Sequence, residues 1–261
     1  PTNFDPNGVR ESYAKMFLTL WNVHRFYSDY ASLDNFDPEE KNSYVDIKER
    51  SNLDKWILSR MTTVAENYHE NFISWDFHKA GRELENFVIN DLSNWYVRRS
   101  RRRLWNEDES NDKRSCQHTL HEVLLTVCKL MAPVSPFIPD QIHRDLTGYS
   151  VHLADWPVGS NLVERKLPPQ SWVLEQEMSL VRKLAETGRR VRVEAGRRQR
   201  LPCKSGWIVG GPDISDFHEI LAEELNVEEL TTEEDLDRFQ RIEIAPNRKS
   251  LGKKCRQDLP A

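Results

Sequence analysis

The stretch with the most legible chemistry runs Asn90-Asp91-Leu92-Ser93-Asn94-Trp95-Tyr96-Val97, then Arg98, Arg99, Ser100, Arg101, Arg102, Arg103, Leu104 and Trp105. Five arginines close an apolar helical pattern inside a chain whose net charge is −5. A guanidinium offers a planar fork of donors that matches phosphate oxygens, and aromatic faces stack on unpaired bases. Arginines beside Tyr96 and Trp105 therefore suit RNA. At about 100° per residue, Leu84, Val88, Leu92 and Trp95 share one helix face, and Arg99 and Arg102 continue it. A helix that swaps core side chains for guanidiniums along one stripe either leaves the core there or buries paired charge. The same residues also admit a plainer reading. Cations at a helix end meet the negative end of the macrodipole, and Glu107, Asp108 and Glu109 follow closely enough to neutralise them.

Other reactive residue types are scattered. Cys116, His118 and His121 lie close together, but a structural zinc takes four ligands and no second cluster follows, so no metal site is assigned. No nucleophile, base and orienting group assemble, and Asp76 and His78 read as surface or capping residues, so no catalytic residue is assigned.

With 261 residues the chain is long enough for a full core and two domains. Charged residues make up 30% and the hydrophobic class 38%, as in a helix-rich soluble protein. No apolar run reaches bilayer length and no signal-peptide h-region opens the chain, so no membrane partner is expected. Cys116, Cys128, Cys203 and Cys255 are scattered without a C-x-x-C pair, which points to a reducing, cytoplasmic setting. Charge is polarised: the segments 98–114 and 182–200 are basic, whereas Asp213 to Asp237 holds eleven acids and no Lys or Arg. A polyanion would meet only part of such a protein.

The elements that must position the arginines follow from periodicity. Helical patterns run from near Asp5-Pro6-Asn7 through Tyr27, from a Ser51 or Asn52 cap through Val64, from about Trp75 to Trp105, and from about Ser115 to Met131. A further helical turn covers Gln141 to Leu146. Long amphipathic helices with short connections make an antiparallel helix bundle, mainly α, spanning 1–166. Val151 to Pro157 reads as extended, and Leu167-Pro168-Pro169 marks a boundary. Residues 167–261 then read as a small α+β domain. It holds a basic amphipathic helix through Val191, a strand at Trp207–Pro212, a helix at Phe217–Leu225, and strands at Val227–Leu230 and Arg241–Ile244.

The segment Asp91-Leu92-Ser93-Asn94-Trp95-Tyr96-Val97-Arg98-Arg99-Ser100-Arg101-Arg102-Arg103 closely resembles the anticodon-binding signature of the isoleucyl-tRNA synthetases, members of class Ia. Leu18–Asn22, Asp54–Arg60, Met131–Phe137 and Ser150–Pro157 agree in order, as do Val181–Leu184, Glu223–Val227 and Pro246–Lys254. The resemblance covers essentially the whole chain. It implies a class Ia anticodon-binding bundle followed by a junction-like domain. The implied partners are the anticodon stem-loop of an isoleucine tRNA and the remainder of the synthetase, with no DNA and no membrane. Neither the H-I-G-H nor the K-M-S-K-S motif of class I activation occurs here. Lys249-Ser250-Leu251-Gly252 echoes the second but matches the family's C-terminal P-N-x-K-x-L-G segment. The resemblance thus implies a C-terminal part that binds tRNA and does not itself catalyse, with ATP and Mg²⁺ serving the full-length ligase and no cofactor here.

Within that frame Arg99 and Arg102 are expected to contact bases or phosphates, Arg98 and Arg103 to hold backbone phosphates, and Trp105 to offer a stacking surface. Trp95 shares the apolar stripe and is divided between core packing and a base contact, with packing favoured. Arg101 points away from the stripe and is expected in solvent. Lys249, Lys253 and Lys254 fit either tRNA contacts or a solvated terminal charge run. Lys15 and Arg60 fit the same groove, and Arg60 equally fits an ion pair with Asp54 or Asp91. Two alternatives stand beside this function: a protein-docking module of a larger synthetase assembly, and the equivalent part of a valyl-tRNA synthetase.

Overall fold

The computed structural model of the chain describes residues 6–40, 44–106, 110–158, 171–209 and 214–233. Helix α1 (Pro6–Ser12) widens into π-helical turns at Tyr13–Phe17 and continues as α2 (Leu18–Leu33). Helix α3 (Asn52–Ile73) starts where the Ser51 hydroxyl accepts the Asp54 backbone N–H. Asp76 caps α4 (Phe77–Asn86) by accepting from the Lys79 N–H, which gives it the capping role read from sequence. A π-helical segment, Phe87–Val97, then leads into α5 (Arg98–Trp105). Helices α6 (Asn111–Met131) and α7 (Phe137–Thr147) follow. α6 begins before the expected Ser115 because the Ser110 hydroxyl caps it from the Lys113 N–H. Helix α7 ends on Gly148 at φ 78, a left-handed position that glycine adopts without steric cost.

Val151–Leu153 forms a short 3₁₀ turn where extended chain was expected. The reason is local: the Asp140 carboxylate accepts both the Ser150 hydroxyl (2.6 Å) and the Val151 N–H (2.9 Å), folding the chain back onto α7. Helix α8 (Ser171–Glu194), strand β1 (Cys203–Val209), helix α9 (His218–Leu225) and strand β2 (Val227–Glu233) complete the order. β1 starts earlier than the expected Trp207, and the expected strand at 241–244 lies outside the described residues.

Two compact units divide the chain. One takes Pro1–Leu184 with Ile214–Phe217, the other Ala185–Asp213 with His218–Ala261. The first is a helix bundle in which α3 packs on α4 and α6, and α6 on α7. Its core is built from the periodic apolar residues: Leu20, Val23 and Tyr27 from α2, Trp56, Ile57, Met61 and Val64 from α3, and Leu120, Val123, Leu124 and Val127 from α6. The division falls after Leu184, not at 166, because the start of α8 is bundle structure. Met178 and Val181 are buried, and Glu175 accepts the hydroxyls of Ser59 (2.6 Å) and Thr63 (2.9 Å) on α3. In the second unit β1 and β2 pair in parallel, with Cys203 opposite Val227 and Trp207 opposite Thr231. Gly188 on α8 lets Leu225 lie against the helix; a Cβ there would stand 2.3 Å from a Leu225 methyl.

Charges inside the bundle are paired. Arg50, fully buried, donates to Val45 O, Thr119 Oγ1 and Glu122 Oε1. Lys113 reaches Asp34 at 2.6 Å and Asn106 O at 2.8 Å. Two buried histidines behave differently. Burial lowers the pKa of His24, against the opposing pull of Asp145, and burial likewise lowers that of His121. Unfolding returns each to an ordinary histidine pKa near ~6.5. The unfolded chain therefore binds more protons as the pH falls below that value, so stability is full above it and declines toward the folded-state pKa. The urea midpoint of the first unit is expected to drop between pH 7.5 and 5.5. In the double variant His24→Gln/His121→Gln the drop should shrink; an undiminished drop would show that these rings are not its source.

Candidate nucleic-acid interface

The arginine helix is positioned by a change of helical period. Buried residues recur every four positions, Leu84, Val88, Leu92, Tyr96, Ser100 and Leu104 along one line and Phe87, Asp91 and Trp95 along the next. That period is longer than the 3.6 residues of an α-helix, and the π turns of Phe87–Val97 supply the difference. The apolar part of the expected stripe is therefore buried as read, while the arginines beyond it are rotated away from the positions that a uniform α-helix assigns them.

Asp91 and Trp95 fix the rotation. The buried Asp91 carboxylate accepts Arg60 Nε at 3.1 Å and Arg182 Nη1 from α8. Of the alternatives for Arg60, an ion pair with Asp91 is the one present. Trp95 is 5% exposed, donates its indole N–H to Met178 Sδ at 3.1 Å, and carries the guanidiniums of Arg98, Arg99 and Arg182 at 5.3–5.9 Å from its ring. Its faces are spent on protein, so Trp95 leaves the set of base contacts for the packing role. Tyr96 is also fully buried and gives no stacking surface.

Beneath α5 lies a buried polar cluster. The Arg103 guanidinium grips Asp54 through Nη1 at 2.8 Å and Nη2 at 2.6 Å, and Asp112 through Nε at 2.8 Å. The Tyr96 hydroxyl donates to the same Asp54 carboxylate. Burial first, and then the Asp54 charge, push the Tyr96 phenol well above its ordinary pKa. Burial also lifts the Cys116 thiol to about 11, which keeps it protonated and unreactive. Arg103 is thus the clamp that seats α5 on α3, and its expected phosphate contact is withdrawn. Its fork is filled by carboxylates, and a phosphate would have to break a buried ion pair to reach it.

The opposite face of α5 is the exposed one. Arg98, Arg101, Arg102 and Trp105, spaced i, i+3, i+4 and i+7, share it, with Trp105 58% exposed. Arg102 keeps its expected accessibility, Trp105 its expected surface, and Arg98 is exposed with its Nε donating to Asn94 O. Arg99 is half-buried over Trp95. Arg101, read as pointing away from the apolar stripe into solvent, is exposed as expected, and it stands beside Arg102 on this face. Counting back from Trp105 in helical steps finds it; counting forward from Leu84 does not. Lys15 is exposed and paired with Glu11. Lys249, Lys253 and Lys254 lie outside the described residues.

The metal-type residues of α6 face different neighbours. Cys116 Sγ lies 3.7 Å from the Tyr96 hydroxyl, His118 meets the rings of Phe36 and Tyr44, and His121 meets Tyr27. Among the described residues no three ligating side chains converge. None of the described helices is long and apolar enough to cross a membrane.

Residues 54–205, which hold the π segment, α5 and its clamp, match the family model described as the anticodon-binding domain of tRNA ligase. The chain belongs to this anticodon-binding domain family. Curated relatives agree with that membership. The isoleucine–tRNA ligase of Clostridium novyi is 36% identical over 100% of this chain and 25% of its own length. That of Porphyromonas gingivalis is 38% identical over 95% of this chain and 22% of its own length. That of Bacillus thuringiensis is 36% identical over 99% of this chain and 24% of its own length. The chain thus spans about a quarter of the length of these relatives. For the anticodon-binding family the exposed Arg98–Trp105 face is the natural candidate for RNA, because it alone on this helix leaves guanidiniums and an indole accessible.

Proposed function

We propose that this chain recognises and positions the anticodon stem-loop of an isoleucine tRNA, as one part of a cytoplasmic isoleucine–tRNA ligase. The observation that carries the reading is the continuous similarity of 95–100% of the chain to isoleucine–tRNA ligases, joined to family membership in the anticodon-binding domains. That similarity also favours the isoleucine over the valine enzyme.

Anticodon bases are single-stranded and can be splayed out of their stack. In this reading Trp105 stacks on one such base, and Arg101 and Arg102 hold the adjoining phosphates or a base edge, with Arg98 next to them. The helix meets the RNA as a rigid body because Arg103 and Asp91 fix it from below. Joining isoleucine to the tRNA with ATP and Mg²⁺ is assigned to the longer ligase, and this chain alone is proposed to be inactive in that reaction. A free anticodon stem-loop of the isoleucine tRNA should compete with the whole tRNA for the chain. Failure of an excess of stem-loop to displace the tRNA would overturn the assignment.

A further inference from the structure

The second unit carries a basic surface of its own. Between Arg189 and Lys204 stand seven Lys and Arg against one acid, Glu194. Two of the seven are structural. Arg192 is buried and donates to the carbonyls of Arg198 (3.3 Å), Leu201 (2.8 Å) and Asn226 (2.9 Å). Arg189 lies 3.7 Å from the buried carboxylate of Glu224. The other five, Arg190, Arg197, Arg198, Arg200 and Lys204, are exposed and make no ion pair among the described residues.

The loop that displays them is built, not slack. Gly196, at φ 64, ends α8 with its N–H on Val193 O, and the Arg197 N–H returns to Arg192 O at 2.8 Å. This pair of bonds closes the helix end in the Schellman manner. The Leu201 N–H then closes a turn on Arg198 O, while Gln199 donates to Glu224 O and accepts from the Asn226 side chain. A buried arginine thus staples a turn whose outward side chains are Arg197, Arg198 and Arg200. Like charges held on one short turn repel one another, and an anion laid across them removes that cost. Fixed guanidiniums suit phosphate oxygens, and a row of them suits a chain of phosphates.

We infer that the stapled turn Arg197–Arg200 is a second RNA contact, gripping backbone phosphates without reading bases. The inference rests on the chain being RNA-binding, and it does not depend on which anticodon the bundle prefers. An uncharged docking partner would gain nothing from three outward guanidiniums.

The test uses the full chain and an isoleucine tRNA transcript, titrated at several salt concentrations. The variant Arg197→Ala/Arg198→Ala/Arg200→Ala should flatten the fall of log K with log salt by about 2, three contacts at roughly 0.7 each. It should leave the ratio of affinities for native and anticodon-swapped tRNA unchanged. Lysine at the same three positions should restore the slope. Alanine at Lys48, Lys79 and Arg82, exposed cations of the bundle unit, removes equal charge and should alter the slope less. An unchanged slope in the loop variant, or an equal loss in the bundle control, would overturn the inference. If wild-type binding ignores the anticodon but the loop variant still loses slope, the anticodon assignment fails and the loop contact stands. If the anticodon matters and the slope does not move, the loop contact alone fails.

Discussion

Arg103→Ala lowers the unfolding free energy of the bundle by about 3–5 kcal/mol, while Arg102→Ala, one residue earlier, changes it by less than about 0.5 kcal/mol. The contrast follows from where the two forks point. Asp54 is 0% exposed, and Arg103 supplies the cation that makes its burial tolerable. Removing the guanidinium leaves a charged carboxylate in the core with the Tyr96 hydroxyl as its remaining partner, and the loss of a buried pair's one member is far costlier than the loss of a surface charge. Arg103→Lys should recover only part of the loss, because one ammonium cannot bridge both Asp54 oxygens and reach Asp112. Urea unfolding of the three variants reads this directly. Equal midpoints for Arg102→Ala and Arg103→Ala would show that the clamp contributes no stability.

Alanine at Arg101, Arg102 and Trp105 together weakens binding of an isoleucine tRNA by roughly 10²-fold near physiological salt, with little change in stability. Base stacking on an aromatic ring is worth about 1–3 kcal/mol, and two lost phosphate contacts should flatten the salt dependence by about 1.4. The three side chains are exposed, so the folded bundle tolerates their removal. Separate variants divide the effect. Trp105→Ala should lower affinity without altering the salt slope, and Arg101→Ala/Arg102→Ala should alter both. A loss below about threefold for the triple variant would remove this face of α5 from the interface.

Much of this architecture was legible in the residues. The 3.6-residue spacing in α3 and α6 places their apolar side chains in the core, and Ser51 and Asp76 mark the starts of α3 and α4 as hydroxyl and carboxylate caps should. The apolar stripe Leu84–Trp95 was legible too, and with it the packing role of Trp95. The partition of the arginines was not. A helical wheel drawn at 100° carries Arg99 and Arg102 onto the stripe and sends Arg101 away. Eleven residues of π turns shift the phase, so that Ser100, Arg103 and Leu104 face inward and Arg98, Arg101 and Arg102 face out. Nothing in the local pattern of Phe87–Val97 announces those wider turns. They are stabilised by tertiary partners, Arg60 and Arg182 on Asp91 and Met178 on Trp95, that lie 31 or more positions away in the chain. The pairing of Arg103 with Asp54 spans 49 positions and was hidden for the same reason. Arg192 is a third case: it sits in a segment legible only as basic, and it is buried on three carbonyls.

The most direct test of the anticodon assignment is a titration of the chain against two isoleucine tRNA transcripts that differ only in the anticodon. Tighter, salt-sensitive binding to the native anticodon, with the preference lost in the Arg101/Arg102/Trp105 alanine variant, is the expected result. Equal affinity for the two transcripts would contradict anticodon recognition by this chain.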